Sequence, residues 1–156
     1  MNLSWMSFYN LLLALWVGGI AIFTFIVTPA IFRSFGRDQA GEIVGKLFPG
    51  YFLYNLFITA LALIMFFLAA GDQTSPEARL SLFLVTIALL INAYIIFKLH
   101  PDAVRVKKQI LSFERESPDS PARKQFSRLH VASASLNLLL LAEGIVLLLI
   151  SPSLKK

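Results

Sequence analysis

The chain lacks cysteine and is poor in charge. No cysteine occurs among its 156 residues, which excludes disulfides, thiolate nucleophiles and thiolate metal sites. Charged residues make up only 15 % of the sequence, whereas soluble domains average about 25 %. Hydrophobic residues make up 57 %, and the mean hydropathy is +0.73. This composition indicates an integral membrane protein, and we interpret residues 1–156 as a single membrane domain.

Four apolar runs are each long enough to cross a hydrocarbon core about 30 Å thick, which takes about 20 helical residues. They cover residues 8–32, 48–70, 80–99 and 129–150. These runs predict an all-α fold, a four-helix transmembrane bundle with up-down-up-down order. No basic residue precedes the first run, and it exceeds the roughly 7 to 15 residues of a signal-peptide core. We therefore expect the first run to stay in the mature protein.

Basic residues are concentrated in the first and third loops, which share one side of the membrane. These two loops hold 11 of the 14 basic residues: Arg33, Arg37, Lys46, Lys98, Arg105, Lys107, Lys108, Arg115, Arg123, Lys124 and Arg128. The positive-inside rule then predicts a multi-pass protein of the cell (inner) membrane, with both termini outside and two long basic loops in the cytoplasm. The expected partner is the lipid bilayer rather than nucleic acid. A second copy of the chain or another membrane protein stays open as a partner.

Serine–proline pairs indicate where two helices begin. Ser75-Pro76 and Ser120-Pro121 each offer a capping oxygen followed by a residue without a backbone N–H. Helices three and four are therefore predicted to start there, and both are predicted to extend into the cytoplasm. Pro29 and Pro101 predict a kink and a bend, because proline removes a helical hydrogen bond. Residues 34–47 are predicted to form a separate amphipathic segment at the membrane interface.

Three asparagines lie at similar depth on three different helices, namely Asn55, Asn92 and Asn137. Lipid cannot satisfy an amide, so these side chains should face one another or a water-filled cavity. Two interpretations stay open, interhelical packing and a polar binding pocket.

A second polar layer lies at the cytoplasmic end, where His100, His130 and Tyr51 form a predicted mouth. Two histidines on adjacent helices could bracket a metal ion or a haem iron. A closed zinc site takes four ligands, and the chain has only two histidines. We therefore predict no cofactor and no metal site, and keep haem or a metal ion at His100 and His130 as the alternative.

The fourth span carries a polar stripe and one acid. His130, Ser133, Asn137 and Gly144 share a helical face, and Glu143 lies about 110° away from the centre of that stripe. A charge at the centre of a span costs roughly 2.5 to 3.5 kcal/mol, so Glu143 needs compensation. Trp16 and Thr86 are its predicted partners. A neutral interhelical bond and a proton or cation relay are the two interpretations.

Three segments resemble a known family. They are LWVGGIAIFTFIVTPAIFR, GKLFPGYF and FSRLHVASASLNLLLL. The chain resembles the transmembrane protein 205-like family, which contains domain of unknown function 4149. The resemblance implies a four-span helical membrane protein and brings no reaction, substrate or catalytic residue. Similarity to copper-resistance and haem-binding membrane families is weaker, because the first span has no histidine.

The leading functional prediction is the binding or movement of a small or cationic solute through a polar interior. Soluble catalytic motifs such as His-Glu-x-x-His and a phosphate loop are absent, so we predict no enzyme. The predicted interior comprises Asn55, Asn92, Ser133, Asn137, Glu143 and Trp16, with His100, His130 and Tyr51 at the mouth. A non-catalytic membrane scaffold is the second hypothesis, and a haem or metal redox protein is the third.

Overall fold

The computed structural model describes residues 4–69 and 74–155, which form four long helices. These are the first helix (Trp5–Ser34), the second (Arg37–Ala69), the third (Pro76–Lys107) and the fourth (Pro121–Leu154). Each is long and apolar enough to cross a membrane, which confirms the all-α fold with four spans. Ala70, the predicted end of the second span, lies outside the described residues. The direction of each helix relative to a membrane and the extension into the cytoplasm stay predictions.

Both predicted serine caps are present. The Ala78 N–H donates to Ser75 Oγ over 3.2 Å, and the Arg123 N–H donates to Ser120 Oγ over 3.3 Å. Each serine is followed by a proline in the first turn, where no partner for its nitrogen is required. The predicted starts of the third and fourth helices are therefore confirmed.

The prediction of a separate interfacial segment over residues 34–47 is wrong. The second helix already begins at Arg37, so only Phe35 and Gly36 separate it from the first helix. The segment contains Gly36, Gly41 and Gly45, but Ala40 and Val44, one turn apart, are buried against the rest of the protein. This tertiary packing outweighs the weak helix propensity of glycine. The first of the two predicted long basic loops is therefore mostly helix.

Two π-helical turns interrupt the helices, at Phe23–Val27 and Ile95–Leu99. In each turn an N–H bonds five residues back, from Thr28 to the Phe23 carbonyl and from His100 to the Ile95 carbonyl. Pro29 directly follows Thr28, and Pro101 directly follows His100. In a regular helix, each proline ring would collide with the carbonyl four residues earlier. The wider turn relieves that collision, so the irregularities predicted at Pro29 and Pro101 lie one turn earlier.

The bundle has two unlike halves. We call the end with residues 4–22 and 140–155 the terminal half, and the end with residues 23–52 and 95–139 the basic half. In the first helix, all described buried residues precede the π-helical turn: Met6, Tyr9, Leu13, Trp16 and Ile20. In the fourth helix, they start only at Leu140: Leu140, Glu143, Gly144, Leu147, Ser151 and Leu154. These two helices pack in the terminal half and separate in the basic half.

Glycine allows close helix approach at two positions. A Cβ atom on Gly19 would lie 2.6 Å from Cε1 of Tyr54, and one on Gly144 would lie 2.8 Å from Cγ2 of Val17. The Tyr54 hydroxyl also donates to the Leu15 carbonyl over 2.8 Å, which ties the second helix to the first. The neighbouring Gly18 has no such role, because a Cβ there would meet nothing within 4 Å.

A hairpin of residues 108–120 connects the third and fourth helices at the basic end. Its backbone is anchored to the second helix by Asp38, which accepts from Ser112 Oγ over 2.6 Å and from the Phe113 N–H over 2.5 Å. The Phe113 ring packs edge-on against Phe126 and under the guanidinium of Arg123. These contacts place Phe113 beside the opening between the helices.

Candidate binding site

A cavity of about 560 Å³ lies in the basic half, where the first and fourth helices separate. All four helices and the hairpin line it. Its walls are mainly apolar and include six phenylalanines: Phe23, Phe32, Phe48, Phe52, Phe113 and Phe126. Its polar lining is small: Thr24, Thr28, Tyr51, His100, His130, Ser133 and Asn137. Volume and composition are those of a small-molecule site.

The floor of the cavity is a hydrogen-bonded group from three helices, which we call the floor triad: Thr24, Tyr51 and Asn137. The Tyr51 hydroxyl donates to Asn137 Oδ1 over 2.5 Å, and Asn137 Nδ2 donates to Thr24 Oγ1 over 2.9 Å. The Tyr51 ring also stacks on Phe23, with centroids 4.1 Å apart. Sequence reasoning missed Thr24, because a single hydroxyl in an apolar helix usually bonds to its own backbone.

The two histidines of the predicted mouth both line the cavity. His100 presents its ring to the edges of Phe48 and Phe52, with a centroid distance of 5.3 Å to Phe52. His130 stacks on Phe126, with centroids 6.1 Å apart. Within the described parts of the chain, no group of three or more metal-ligating side chains occurs. Any haem or metal at this pair stays a prediction.

The open end of the cavity is positively charged. Arg37 and Lys107 line it, and none of the described residues that line it is acidic. Lys107 Nζ donates to the Gly41 carbonyl over 2.6 Å and lies 3.2 Å from where a Cβ on Gly45 would be. The Gly41-x-x-x-Gly45 spacing therefore accommodates a lysine side chain in this structure.

The predicted asparagine layer is divided. Asn137 lines the cavity, whereas Asn55 and Asn92 are buried away from it. Asn55 Nδ2 donates to the Tyr51 carbonyl over 3.1 Å. Asn92 Nδ2 donates to the Ala88 carbonyl over 3.0 Å and to Thr59 Oγ1 over 3.5 Å. Their similar depth in the membrane stays a prediction, but the three amides do not face one shared cavity.

Glu143 and Trp16 lie in the terminal half and do not line the cavity. Glu143 is 7 % exposed, and Trp16 is fully buried. Among the described residues, neither Glu143 Oε2 nor Trp16 Nε1 has a hydrogen-bond partner, so the predicted bond between them does not form. The ring of Trp16 instead packs against Gly144, close to Val17. The residues predicted to form one polar interior therefore lie in two separate regions of the bundle.

Comparisons with known proteins identify relatives of unknown function. The sequence profile of the family described as a domain of unknown function (DUF4149) matches residues 11–112. An uncharacterised protein of Aquifex aeolicus (strain VF5) is 32 % identical over 91 residues, which is 57 % of this chain and 64 % of that protein. The chain thus spans less than two thirds of that relative. No solved structure matches.

The narrower transmembrane protein 205-like name stays a prediction. The matched segment runs from the first helix to the hairpin, so it includes Thr24, Tyr51 and His100 but ends before the fourth helix. Because the profile matches well over half of the residues, this multi-pass membrane protein belongs to the DUF4149 family.

Proposed function

We propose that this protein binds a small molecule with an apolar body in the cavity of the basic half. The observation that carries the proposal is the cavity itself, about 560 Å³ of mainly apolar space with the floor triad at its base. Small-molecule sites typically enclose about 300 to 1,000 Å³ and combine apolar walls with a few fixed polar groups.

The separation of the first and fourth helices supplies a route of entry from the bilayer. The segment Thr28–Ser34 packs against the second helix and has no extended contact with the fourth. On the facing side, His130 and Ala134 line the cavity and are exposed. An apolar molecule dissolved in lipid could enter sideways between these helices without crossing a polar surface.

Binding is better supported than passage across the membrane. The cavity ends at the floor triad, and beyond it Trp16, Ile20 and Leu140 are almost completely buried between the helices. Movement of a solute through the protein would require this packing to open. A cationic solute is disfavoured, because Arg37 and Lys107 line the cavity and would repel it.

Photolabelling of two matched variants tests the proposal. Ala134 lines the cavity, whereas Ala132 is an exposed alanine on the same helix that does not line it. Purified protein in nanodiscs is labelled with a diazirine-bearing long-chain alcohol, and the labelled residues are mapped by mass spectrometry. We expect Ala134→Phe to reduce labelling of cavity residues roughly tenfold, equivalent to about 1.4 kcal/mol of lost binding.

Ala132→Phe should leave the labelling unchanged, since its ring enters the lipid. Equal labelling of wild type and Ala134→Phe, or labels confined to lipid-facing residues such as Phe57 and Phe83, would overturn the proposal.

A further inference from the structure

The charges around the cavity indicate what kind of molecule it binds. Arg37 and Lys107 are the charged residues among the described lining, and they lie at the end opposite the floor triad. Within residues 4–69 and 74–155, no carboxylate oxygen lies within ion-pair distance of either cation. The cavity therefore has apolar walls and, at its open end, two cations that form no ion pair within the described residues.

The nearby acids are engaged elsewhere. Asp38 is bonded to Ser112 and Phe113 of the hairpin, and Glu42 forms an ion pair with Lys46 over 2.8 Å. Both carboxylates attract the ammonium of Lys107 through space, but neither lies within ion-pair distance of it. An anion at the opening would therefore meet positive charge without having to displace an existing ion pair.

Lys107 is held where it can contact such an anion. Its ammonium lies over Gly41 and Gly45, where larger side chains would exclude it, and it gives one of its three donors to the Gly41 carbonyl. The remaining donors are available to a ligand. Charge-assisted hydrogen bonds of this kind are roughly twice as strong as neutral ones.

The volume is sufficient for an apolar chain. A cavity of about 560 Å³ lies within the roughly 300 to 1,000 Å³ of small-molecule sites, so it can accommodate one long acyl chain. The atoms of the floor triad bond to one another, so the buried end of the ligand need not supply a hydrogen bond.

We propose that the cavity binds one acyl chain with its anionic headgroup, from a free amphiphile or from a bilayer lipid; the headgroup lies between Arg37 and Lys107, and the chain extends toward the floor triad. This inference rests on the binding function proposed above. It adds the chemical class of the ligand and states which end of the ligand lies at the floor triad.

The test compares two probes that differ only in charge. Full-length protein in phosphatidylcholine nanodiscs is photolabelled with diazirine-bearing palmitic acid or with its methyl ester. We expect the wild type to label with the acid about tenfold more efficiently, and the double variant Arg37→Gln/Lys107→Gln to lose that preference. Arg33→Gln/Lys108→Gln is the matched control, since neither residue lines the cavity, and it should keep the preference.

Two further arms identify the source of the ligand. Unlabelled palmitate added from solution tests a free amphiphile, and phosphatidylglycerol in the nanodisc tests a bilayer lipid that inserts one of its chains. Competition by either supports the proposal and names the source, whereas competition by neither overturns it.

The outcomes separate this inference from the function on which it rests. Equal labelling by acid and ester, both abolished by Ala134→Phe, would overturn the anionic headgroup and leave the binding site standing. Retention of the acid preference in the double variant would also overturn it. Failure of both probes to label cavity residues would overturn the binding function itself.

Discussion

In the terminal half of the bundle, Tyr9, Trp16 and Glu143 are buried among apolar side chains, whereas in the basic half Thr24, Tyr51 and Asn137 bond to one another beside a cavity. Among the described residues, Tyr9 Oη, Trp16 Nε1 and Glu143 Oε2 have no hydrogen-bond partner. Polar residues in the terminal half are thus surrounded by closely packed apolar side chains, whereas those in the basic half form a hydrogen-bonded group. The comparison indicates that a buried acid is a weaker sign of a membrane binding site than a set of mutually bonded polar groups.

The same helices produce both halves. The first helix packs against the fourth up to Ile22, and the π-helical turn Phe23–Val27 precedes the separation. The third helix has its own π-helical turn at Ile95–Leu99, next to the cavity residues Leu99 and His100. Two proline-induced irregularities therefore coincide with the change from close packing to open space.

Trp16→Ala should have the largest effect on stability, because it empties the centre of the terminal half. Trp16 is fully buried, and truncation of a buried tryptophan costs about 3 to 5 kcal/mol. Trp5→Ala is the matched control on the same helix. Trp5 is 56 % exposed, and its loss should change the free energy of unfolding by no more than about 0.5 kcal/mol. Unfolding in mixed micelles of a mild detergent and dodecyl sulfate measures both, and equal losses would contradict the close packing of this half.

Glu143→Leu should stabilise the terminal half by about 1 kcal/mol, because it replaces a buried polar group that lacks a partner with an apolar one of similar size. Glu143→Gln, which keeps the shape and a polar end, should be nearly neutral. The same unfolding assay distinguishes them. A loss of stability in Glu143→Leu would mean that the carboxyl has a partner in the membrane, and the two halves would then differ less than this structure indicates.

Tyr51→Phe should separate binding from stability. It removes the bond to Asn137, and interhelical hydrogen bonds in membranes average about 0.6 kcal/mol. Tyr54→Phe removes a comparable bond to the Leu15 carbonyl, but Tyr54 does not line the cavity of the basic half. Both variants should unfold with similar free energies, and only Tyr51→Phe should change the positions that the photoactivatable alcohol labels. Identical labelling patterns would show that the floor triad has no part in binding.

Sequence reasoning located the starts of the third and fourth helices, but not the start of the second helix or the directions of side chains. The caps at Ser75 and Ser120 depend on local hydrogen bonds, so they were predictable from a few residues. Asn55 and Asn137 are predicted to lie at similar depth on different helices, and only tertiary packing decides which of them faces the cavity. Lys107 and Gly41 are distant in sequence, so the hydrogen bond between them could not be predicted from local sequence. Local signals therefore gave the spans, and the site had to come from packing.

Asp38→Asn should have the smallest effect, confined to the hairpin that borders the cavity in the basic half. Asp38 precedes the apolar part of the second helix, and its hydrogen bonds from Ser112 and Phe113 hold the pKa of its carboxyl below the ordinary value. Since an unfolded aspartate has a pKa of about 3.9, the contribution of this carboxylate is complete above that pH and disappears as the pH falls further. We expect the protection of the Phe113 amide, measured relative to its intrinsic exchange rate at each pH, to be lower in Asp38→Asn at neutral pH and to fall in the wild type only below about pH 4. Exchange mapped by mass spectrometry should leave the terminal half unchanged in both cases, because Asp38 makes no contact there. Faster exchange around Trp16 would show instead that the two halves open together.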